Sequence, residues 1–309
     1  MPSIHQVPDK SGTLKPSSVC AVVVAYFPDQ GFEARLHVLL PQVGKVVVVD
    51  NTPEEDRILG LKEFYGNDAQ ILVIENRSNL GIAAALSQGL GVAVELGFEW
   101  ILTLDQDTKC YPDMVLTLLQ VYESCGKRPS VIGGNYYDYR KKQLRIRMDA
   151  GVEFIEQKTV ITAGCLIDTC LATAIGGFRD DYFIDQVDHE FCLRARSKGY
   201  RVYISRLPVM EHSIGDADRP HRFLLGLAPP DHSPLRKYYI ARNSLVSAMD
   251  YWKVEPVWCL QRMVWLLLEA GSIALLQKNP IFKLRAFFAG ISDGMHRRMG
   301  PCRSELLSE

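Results

Sequence analysis

The sequence predicts an α/β fold with a mostly parallel, Rossmann-like sheet flanked by helices. Four short apolar segments rich in β-branched residues have the length of buried strands: Val19–Tyr26, Lys45–Asp50, Ala69–Ile74 and Trp100–Leu104. Segments of helical length alternate with them, at Phe32–Leu40, Pro53–Tyr65 and Gly81–Leu96. Continuous apolar strands separated by helices are typical of a parallel sheet that is covered on both faces.

The rest of the chain continues this pattern less regularly. We predict strands at Val131–Gly134, Gly151–Phe154, Val160–Asp168 and Arg201–Ile204, with a polar, aromatic loop at Tyr136–Arg147. Val187–Lys198 has helical spacing and ends at Gly199, a residue typical of helix C-termini. From Arg236 onward the sequence predicts helices. The expected organisation is a flexible tail (1–18), a catalytic α/β domain (19–233) and a helical C-terminal extension (234–309).

Composition restricts the classes of function. The 309 residues are 47% hydrophobic and 23% charged, with a formal net charge of −1. These values indicate a globular chain with a sizeable core and give no reason to expect a nucleic-acid partner. The extension nevertheless carries 11 Lys and Arg against 6 Asp and Glu. That excess suits either an anionic partner, such as a membrane surface, or a merely solvated basic face.

Cysteine usage and hydropathy favour a cytoplasmic protein. Eight cysteines are scattered without CxxC spacing, as expected of reduced thiols in the cytosol. The first 18 residues are polar, contain three prolines and do not resemble a signal peptide. No uncharged apolar stretch reaches 18 residues, so we do not expect a membrane-spanning helix.

One motif directly follows a predicted strand. Asp105-Gln106-Asp107 comes after Trp100–Leu104, and ligands of parallel sheets bind at the carboxyl ends of the strands. Two carboxylates at positions i and i+2 suit Mg²⁺ or Mn²⁺, which prefer oxygen ligands and bridge diphosphates. Acidic residues are also common in ordinary turns. The GxGxxG fingerprint of a dinucleotide-binding oxidoreductase is absent after the first strand.

Seven short motifs in order carry a resemblance to a known family. They are AVVVAYFP, VVVVDN, NLGIAAALSQG, LTLDQDT, YFIDQVDHEFCLRA, EHSIG and YYIARN. Together they resemble family 2 glycosyltransferases of the GT-A fold, and more narrowly bacterial rhamnosyltransferases that use dTDP-L-rhamnose. The resemblance extends over roughly residues 19–300. It implies a GT-A sheet and a nucleotide-sugar donor.

The resemblance assigns donor-binding roles to residues at the strand ends. Asp50 corresponds to the carboxylate that accepts a hydrogen bond from the pyrimidine imide N–H. Asp105 corresponds to a residue that contacts the ribose or shares the metal shell, and Gln106 beside it also corresponds to the donor site. The remaining residues that correspond to the donor site are Tyr26 and Pro28 at the base pocket, Asn79 and Gly81 beside the nucleotide, and Arg242 near the phosphates. Each also has an ordinary structural interpretation, such as a turn, a cap or a surface residue.

The same resemblance implies a metal site and a general base. Asp107 and His212 are expected to bind Mg²⁺ or Mn²⁺. Asp188 corresponds to the base that deprotonates the acceptor, although Val187 stands where the broader family has Glu. Asp185 and Glu190 are alternative carboxylates, and acidic residues also favour first helical turns for electrostatic reasons.

The C-terminal extension allows several interpretations. Arg236, Tyr239, Arg242 and Asn243 would form a polar face that contacts phosphates or solvent. In residues 257–276, Gln261, Arg262, Glu269 and Ser272 share one arc of a helix that is otherwise apolar. Its broad apolar face suits an interfacial membrane helix, packing on the catalytic domain, or a homodimer contact.

These observations predict an inverting, metal-dependent glycosyltransferase. The expected reaction transfers L-rhamnose from dTDP-β-L-rhamnose to a hydroxyl of a cell-surface polysaccharide or glycolipid precursor. One alternative is a family 2 enzyme that uses another pyrimidine nucleotide sugar, such as a UDP-hexose. Another is a non-catalytic homologue that binds sugar nucleotides. The expected location is the cytoplasm, with or without peripheral contact to the inner face of the cytoplasmic membrane.

Overall fold

A computed structural model describes residues 15–56, 60–128, 130–212 and 231–303. Its strands are β1 (Val19–Ala25), β2 (Lys45–Asp50), β3 (Ile71–Glu75), β4 (Trp100–Asp105), β5 (Lys109–Cys110), β6 (Ser130–Asp138), β7 (Gln143–Leu144), β8 (Phe154–Glu156), β9 (Cys165–Asp168) and β10 (Arg201–Glu211). Its α-helices are α1 (Phe32–Leu39), α2 (Leu61–Tyr65), α3 (Ile82–Glu95), α4 (Met114–Ser124), α5 (Thr169–Ala174), α6 (Val187–Ser197), α7 (Pro234–Tyr251), α8 (Pro256–Leu276) and α9 (Pro280–Met295).

The strands form one sheet in the order β3-β2-β1-β4-β9-β6-β10-β5. β3, β2, β1 and β4 are parallel neighbours, and so are β6 and β10. β9 is antiparallel to both β4 and β6, so that β6 and β10 run in the same direction as the first four strands. The predicted mostly parallel sheet is therefore confirmed.

The side chains of β1 alternate between two hydrophobic layers, one on each face of the sheet. Val19 and Val23 pack with residues of α1 and α4, whereas Cys20 and Val22 pack with residues of α3, α5 and α6. Gly89 allows α3 to lie close to the sheet, because a Cβ there would come within 2.2 Å of Val22. Burial on both faces explains why these strands have no polar alternation in sequence.

Several predicted boundaries are wrong. The helix predicted at Pro53–Tyr65 consists of a 3₁₀ turn at Glu54–Asp56 and the short α2, with residues 57–59 outside the description. Most of the strand predicted at Gly151–Phe154 is loop, because the strand begins only at Phe154. β10 continues past Ile204 to Glu211 through an irregular register near Pro208, and β6 extends into the predicted loop. Helices α4 and α5 were not predicted.

The helices of the extension pack against one another around α7. Each of α7, α8 and α9 begins with proline, which fits the first helical turn because N–H groups there have no acceptor within the helix. Gly290 of α9 permits close contact with α7, since a Cβ there would lie 2.3 Å from the Tyr238 carbonyl oxygen. Lys237 of α7 and Glu269 of α8 form an ion pair whose side chains are both fully buried.

The buried Lys237–Glu269 pair provides a test of how α8 is held to α7. Glu269→Leu leaves the Lys237 ammonium buried without its carboxylate, so we expect the free energy of unfolding to fall by about 3–5 kcal/mol. The double variant Lys237→Met/Glu269→Leu removes both charges and should recover most of that loss. Urea unfolding followed by circular dichroism measures both. A single variant as stable as the unaltered protein would contradict the pairing.

Candidate active site

The carboxyl ends of β1, β2 and β4 meet at one edge of the sheet. In the strand register, Ala25 pairs with Asp50 and Val24 pairs with Asp105. Tyr26, Asp50 and Asp105 are therefore neighbours although they come from three separate motifs. The carboxyl edge of a parallel sheet is where such folds bind ligands.

Gln106 joins two of these strand ends. Its side-chain oxygen accepts a hydrogen bond from the Tyr26 N–H at 2.7 Å, and its side-chain nitrogen donates to the Tyr26 carbonyl at 2.9 Å. The Gln106 carbonyl accepts from Arg35 Nε at 2.6 Å. In this arrangement the Gln106 amide positions the loop after β1.

Two aromatic side chains extend from this loop into solvent. Tyr26 and Phe27 are 45% and 47% exposed, with ring centroids 4.6 Å apart in an edge-to-face arrangement. Phe27 has a positive φ of 50°, and its N–H donates to Thr52 Oγ1 at 2.9 Å. Pro28 is half-buried beside them. Exposed rings at a strand end suit stacking on a nucleobase. Phe27 was missed in the sequence, where its aromatic character beside Tyr26 was the available signal.

Asp50 lies at the bottom of the same edge. It is 1% exposed, and its Oδ1 accepts a hydrogen bond from the Thr52 N–H at 2.9 Å. The neighbouring Asn51 donates to the Gly81 carbonyl at 3.0 Å, and its Oδ1 accepts from Asn76. These bonds connect the end of β2 to the start of α3.

The segment before α3 contacts a distant part of the chain. Asn79 Oδ1 accepts from the Gly81 N–H at 2.9 Å, so Asn79 closes the turn before the helix while Gly81 is the N-cap residue. Gly81 has a φ of 87°, and a Cβ there would lie 2.5 Å from the Phe183 carbonyl oxygen. Only glycine fits both requirements. This contact joins the predicted donor segment to the segment that precedes Asp188.

Asp105, Asp107 and His212 form a cluster that fits a divalent cation. One potential ligand atom from each lies within 4.8 Å of the others. The antiparallel pairing of Lys109 in β5 with Glu211 in β10 brings His212 next to Asp107. The buried Nδ1 of His212 has no hydrogen-bond partner among the described residues, and a metal or its bound water would satisfy it. Two carboxylates and an imidazole suit Mn²⁺ or Mg²⁺.

The electrostatics of Asp105 show what surrounds the cluster. Burial raises its pKa to about 6, His212 and Arg236 act to lower it, and the carboxylates of Asp107 and Asp188 raise it. Asp188 is therefore close enough to interact with the acidic cluster.

Asp188 lies in the first turn of α6. It is half-buried, and its Oδ1 accepts from the His189 N–H at 2.8 Å. The segment before it contains three non-glycine residues with positive φ, namely Phe183, Asp185 and Gln186. These backbone angles turn the chain sharply before the helix begins.

The two alternative carboxylates already have cationic partners. Asp185 pairs with Arg236 at 3.2 Å; burial raises the pKa of Asp185, and Arg236 opposes that rise. Glu190 is fully buried, pairs with Arg194 at 3.0 Å and accepts a hydrogen bond from Tyr251 at 2.6 Å. Glu190 therefore serves packing between α6 and α7 and is not available to a substrate.

The expectation that Arg242 and Asn243 contact phosphates is not supported. Both are fully buried. Arg242 donates to the carbonyls of Gly300, Asp181 and Tyr182, and Asn243 donates to those of Tyr182, Ile184 and Asp185. Tyr239 is also buried and bonds the Cys302 N–H. Among the four residues of the expected polar face, Arg236 is the one that reaches the site.

α8 contributes a wall beside Asp188. Trp258 lies 5.8 Å from the His189 ring, and the Arg262 guanidinium lies over the rings of Trp258 and Trp265, at 5.1 and 5.3 Å. Burial lowers the pKa of Arg262, and the charge of Asp188 opposes this effect. The motif EHSIG continues from His212 into residues 213–215, which lie outside the described residues.

Comparisons with known proteins agree with this fold. The chain is 28% identical over 291 residues to the dTDP-rhamnosyl transferase RfbF of Shigella flexneri, covering 90% of this chain and 96% of that protein. Its fold is similar to S. aureus TarS 1-349 in complex with UDP-GlcNAc, with a TM-score of 0.60, 14% identity and coverage of 92% and 82%. It is also similar to GalNAc-T7 with UDP, GalNAc and Mn²⁺, with a TM-score of 0.52, 13% identity and coverage of 72% and 47%.

The family assignment rests on the segment that carries the strand ends. Residues 20–183 match the family described as Glycosyl transferase family 2. This segment is more than half of the chain and contains Asp50, Asp105 and Asp107. The protein therefore belongs to glycosyl transferase family 2 and is a glycosyltransferase of the GT-A fold.

Proposed function

We propose that the protein transfers L-rhamnose from dTDP-β-L-rhamnose to an acceptor hydroxyl, with inversion at the anomeric carbon. The observation that carries the reaction type is the proximity of the cluster Asp105, Asp107 and His212 to the carboxylate of Asp188. The donor sugar rests on the similarity to the rhamnosyl transferase of Shigella flexneri. A UDP-hexose remains the competing donor, because the structural relative in complex with UDP-GlcNAc shares the fold.

Each part of the site has a chemical task in this reaction. Asp105, Asp107 and His212 would hold Mg²⁺ or Mn²⁺, which as a Lewis acid offsets the charge on a leaving diphosphate. Arg236 adds a positive charge near this cluster, since its guanidinium acts to lower the pKa of both Asp105 and Asp185. Single displacement needs a base and no protein nucleophile. Asp188 takes the proton of the acceptor hydroxyl as that oxygen attacks.

The nucleotide is proposed to lie over the strand ends. Tyr26, Phe27 and Pro28 line the base pocket, and Asp50 accepts from the pyrimidine imide. Asn79 and Gly81 shape the adjoining turn. Gln106, which the resemblance also places in the donor site, positions the pocket through the backbone of Tyr26.

The acceptor is proposed to enter from the side of α8. Arg262 and Trp265 on this helix are half-buried, whereas Trp258 is buried, and an indole ring with a guanidinium suits a sugar or a phosphate-linked sugar. In this proposal the acceptor is a polysaccharide or glycolipid precursor. Residues 19–233 would supply the donor site and the extension would supply Arg236 and this wall. We place the reaction in the cytoplasm, in keeping with eight free cysteines.

Asp107→Asn tests the metal site. The change removes one charged ligand of three, so we expect transfer to fall by two or more orders of magnitude, on the order of 10²–10³, and Mn²⁺ affinity to fall with it. Asp113→Asn, an exposed carboxylate before α4, is the matched control and should behave like the unaltered protein. Activity that survives EDTA would refute the metal requirement.

Asp188→Asn separates catalysis from donor binding. The amide is nearly isosteric but cannot take a proton, so transfer should fall by roughly 10²–10⁴ while calorimetric affinity for dTDP stays within a factor of about two. Asp185→Asn is the comparison, because it tests the carboxylate already paired with Arg236. If only the Asp185 variant loses transfer, the assignment of the base is wrong.

Base selectivity tests Asp50. A carboxylate acceptor requires a ring N–H, so dTDP and UDP should bind while GDP and CDP should not; the unpaired cytosine contact costs on the order of 1–3 kcal/mol. Asp50→Asn keeps an oxygen for the Thr52 N–H but no longer presents only acceptors to the base. The preference for dTDP over CDP, expressed as the ratio of their affinities, should therefore fall about tenfold or more. Tight binding of CDP by the unaltered protein would remove Asp50 from the site.

Sugar selectivity tests the donor sugar independently of the base pocket. In competition, dTDP-β-L-rhamnose should be consumed in preference to UDP-glucose, giving an α-L-rhamnoside that NMR identifies by its anomeric coupling. Preferential consumption of UDP-glucose would refute the donor sugar and leave the site assignments unchanged.

A further inference from the structure

Helix α8 is oriented opposite to a helix on the surface of a water-soluble domain. Three of its polar residues face the protein: Glu269 and Ser272 are buried, and Arg262 is half-buried beside the tryptophans, whereas Gln261 is exposed. One set of apolar residues packs inward with them, but another faces outward, and Leu267 and Leu275 are 74% and 71% exposed. Surface helices normally show the reverse pattern, with polar residues in water.

The outward residues form one continuous stripe. They recur at three- and four-residue spacing and, at 100° per residue, fall within roughly a third of the helix circumference. The 21 residues of α8 make the stripe about 30 Å long. Its exposed apolar members are Val257, Leu260, Val264, Leu267, Leu268 and Leu275.

α9 extends this surface. Ile281 is 78% exposed, and Phe282, Phe288 and Met295 are also exposed on the helix that packs beside α8. The two helices thus present a broad apolar area with aromatic side chains. Exposed apolar residues on two helices that pack together indicate an interaction surface.

Charge identifies the partner. Between Trp252 and Arg303, all of it described, the three acidic residues Glu255, Glu269 and Asp293 are buried. Every exposed charge in this range is positive: Lys253, Lys278, Arg285, Arg297, Arg298 and Arg303, of which Arg297 pairs with Asp250 and Arg298 pairs with Asp293. A second copy of this surface would bring like charges together. An anionic lipid surface complements the cations and accepts the apolar side chains.

We propose that α8 and α9 form a membrane-docking surface that lies flat in the interface of an anionic bilayer. α8 is long and apolar enough to cross a membrane by length and composition. Crossing would, however, expose the arc that carries Arg262 and Glu269 to hydrocarbon and break the buried pair with Lys237. Lying flat keeps those contacts and inserts only the apolar stripe. This inference does not depend on the identity of the donor sugar.

Vesicle sedimentation of the full chain tests the proposal. We expect binding to vesicles of phosphatidylcholine and phosphatidylglycerol at a 3:1 ratio and much weaker binding to pure phosphatidylcholine. Carbonate at high pH should release the bound protein, as it does peripheral proteins. Absence of binding to the anionic vesicles, or retention after the carbonate wash, would overturn the proposal.

Two sets of variants separate the apolar and ionic contributions. Leu267→Glu/Leu275→Glu places charges in the stripe at the most exposed leucines of α8, so vesicle affinity should fall roughly tenfold or more while the thermal melting curve is unchanged. Leu116→Glu, an equally simple change at an exposed leucine of α4, is the matched control and should bind normally. Lys278→Glu/Arg285→Glu should abolish the preference for anionic over neutral vesicles. Normal binding by the leucine variant would refute the surface.

The oligomeric state distinguishes a membrane from a second copy of the chain as the partner of this surface. Sedimentation velocity of the full chain without vesicles should give the same species for the unaltered protein and for the Leu267→Glu/Leu275→Glu variant. A dimer that this variant converts to monomer would show that the stripe is an interface between copies, and would overturn the proposal.

Discussion

The candidate site depends on how the backbone between Asp181 and Gln186 is held. Three non-glycine residues there have positive φ, and such conformations cost on the order of 1–3 kcal/mol each. Hydrogen bonds from Arg242 and Asn243, both buried on α7, offset this cost. Together the two side chains donate to four carbonyls of this segment and to the Gly300 carbonyl. These hydrogen bonds hold the segment in its turned conformation. The positions of Asp185 and Asp188 depend on that conformation.

A second constraint joins the halves of the site across the sheet. The Phe183 carbonyl lies against Gly81, so the segment that carries the acidic residues rests on the start of α3. Gln106 ties the end of β4 to Tyr26. The short pairing of β5 with β10 sets His212 beside Asp107. Each link involves the backbone of at least one partner, so together they restrict how far the acidic cluster and Asp188 can move apart.

The sequence predicted the parts of this site that depend on local pattern. Apolar strands indicated the parallel sheet, and Asp105 and Asp107 were found because they directly follow one. Arg242 was misassigned because sequence shows that a residue is charged but not which way its helix faces; only the packing of α7 against α9 buries it. The polar arc of α8 was found from its spacing, but the sequence left open whether its apolar face meets a membrane, the catalytic domain or a second copy. Helix α4 was missed although its residues are apolar, since two-residue β5 and a short loop separate it from β4.

The orientation of α8 follows from the same buried polar contacts. Glu269 is fixed by Lys237, and Arg262 by the indole rings near Asp188, so the charged part of the polar arc faces inward and the opposite apolar stripe faces outward. Because Arg262 and Glu269 contact the interior from successive turns of α8, their side chains do not cover the outer face of the helix. The wall of the site beside Asp188 and the exposed apolar stripe are thus two faces of one helix. Any surface that covers the stripe lies one helix diameter, about 10 Å, from the inward-facing Trp258 and Arg262.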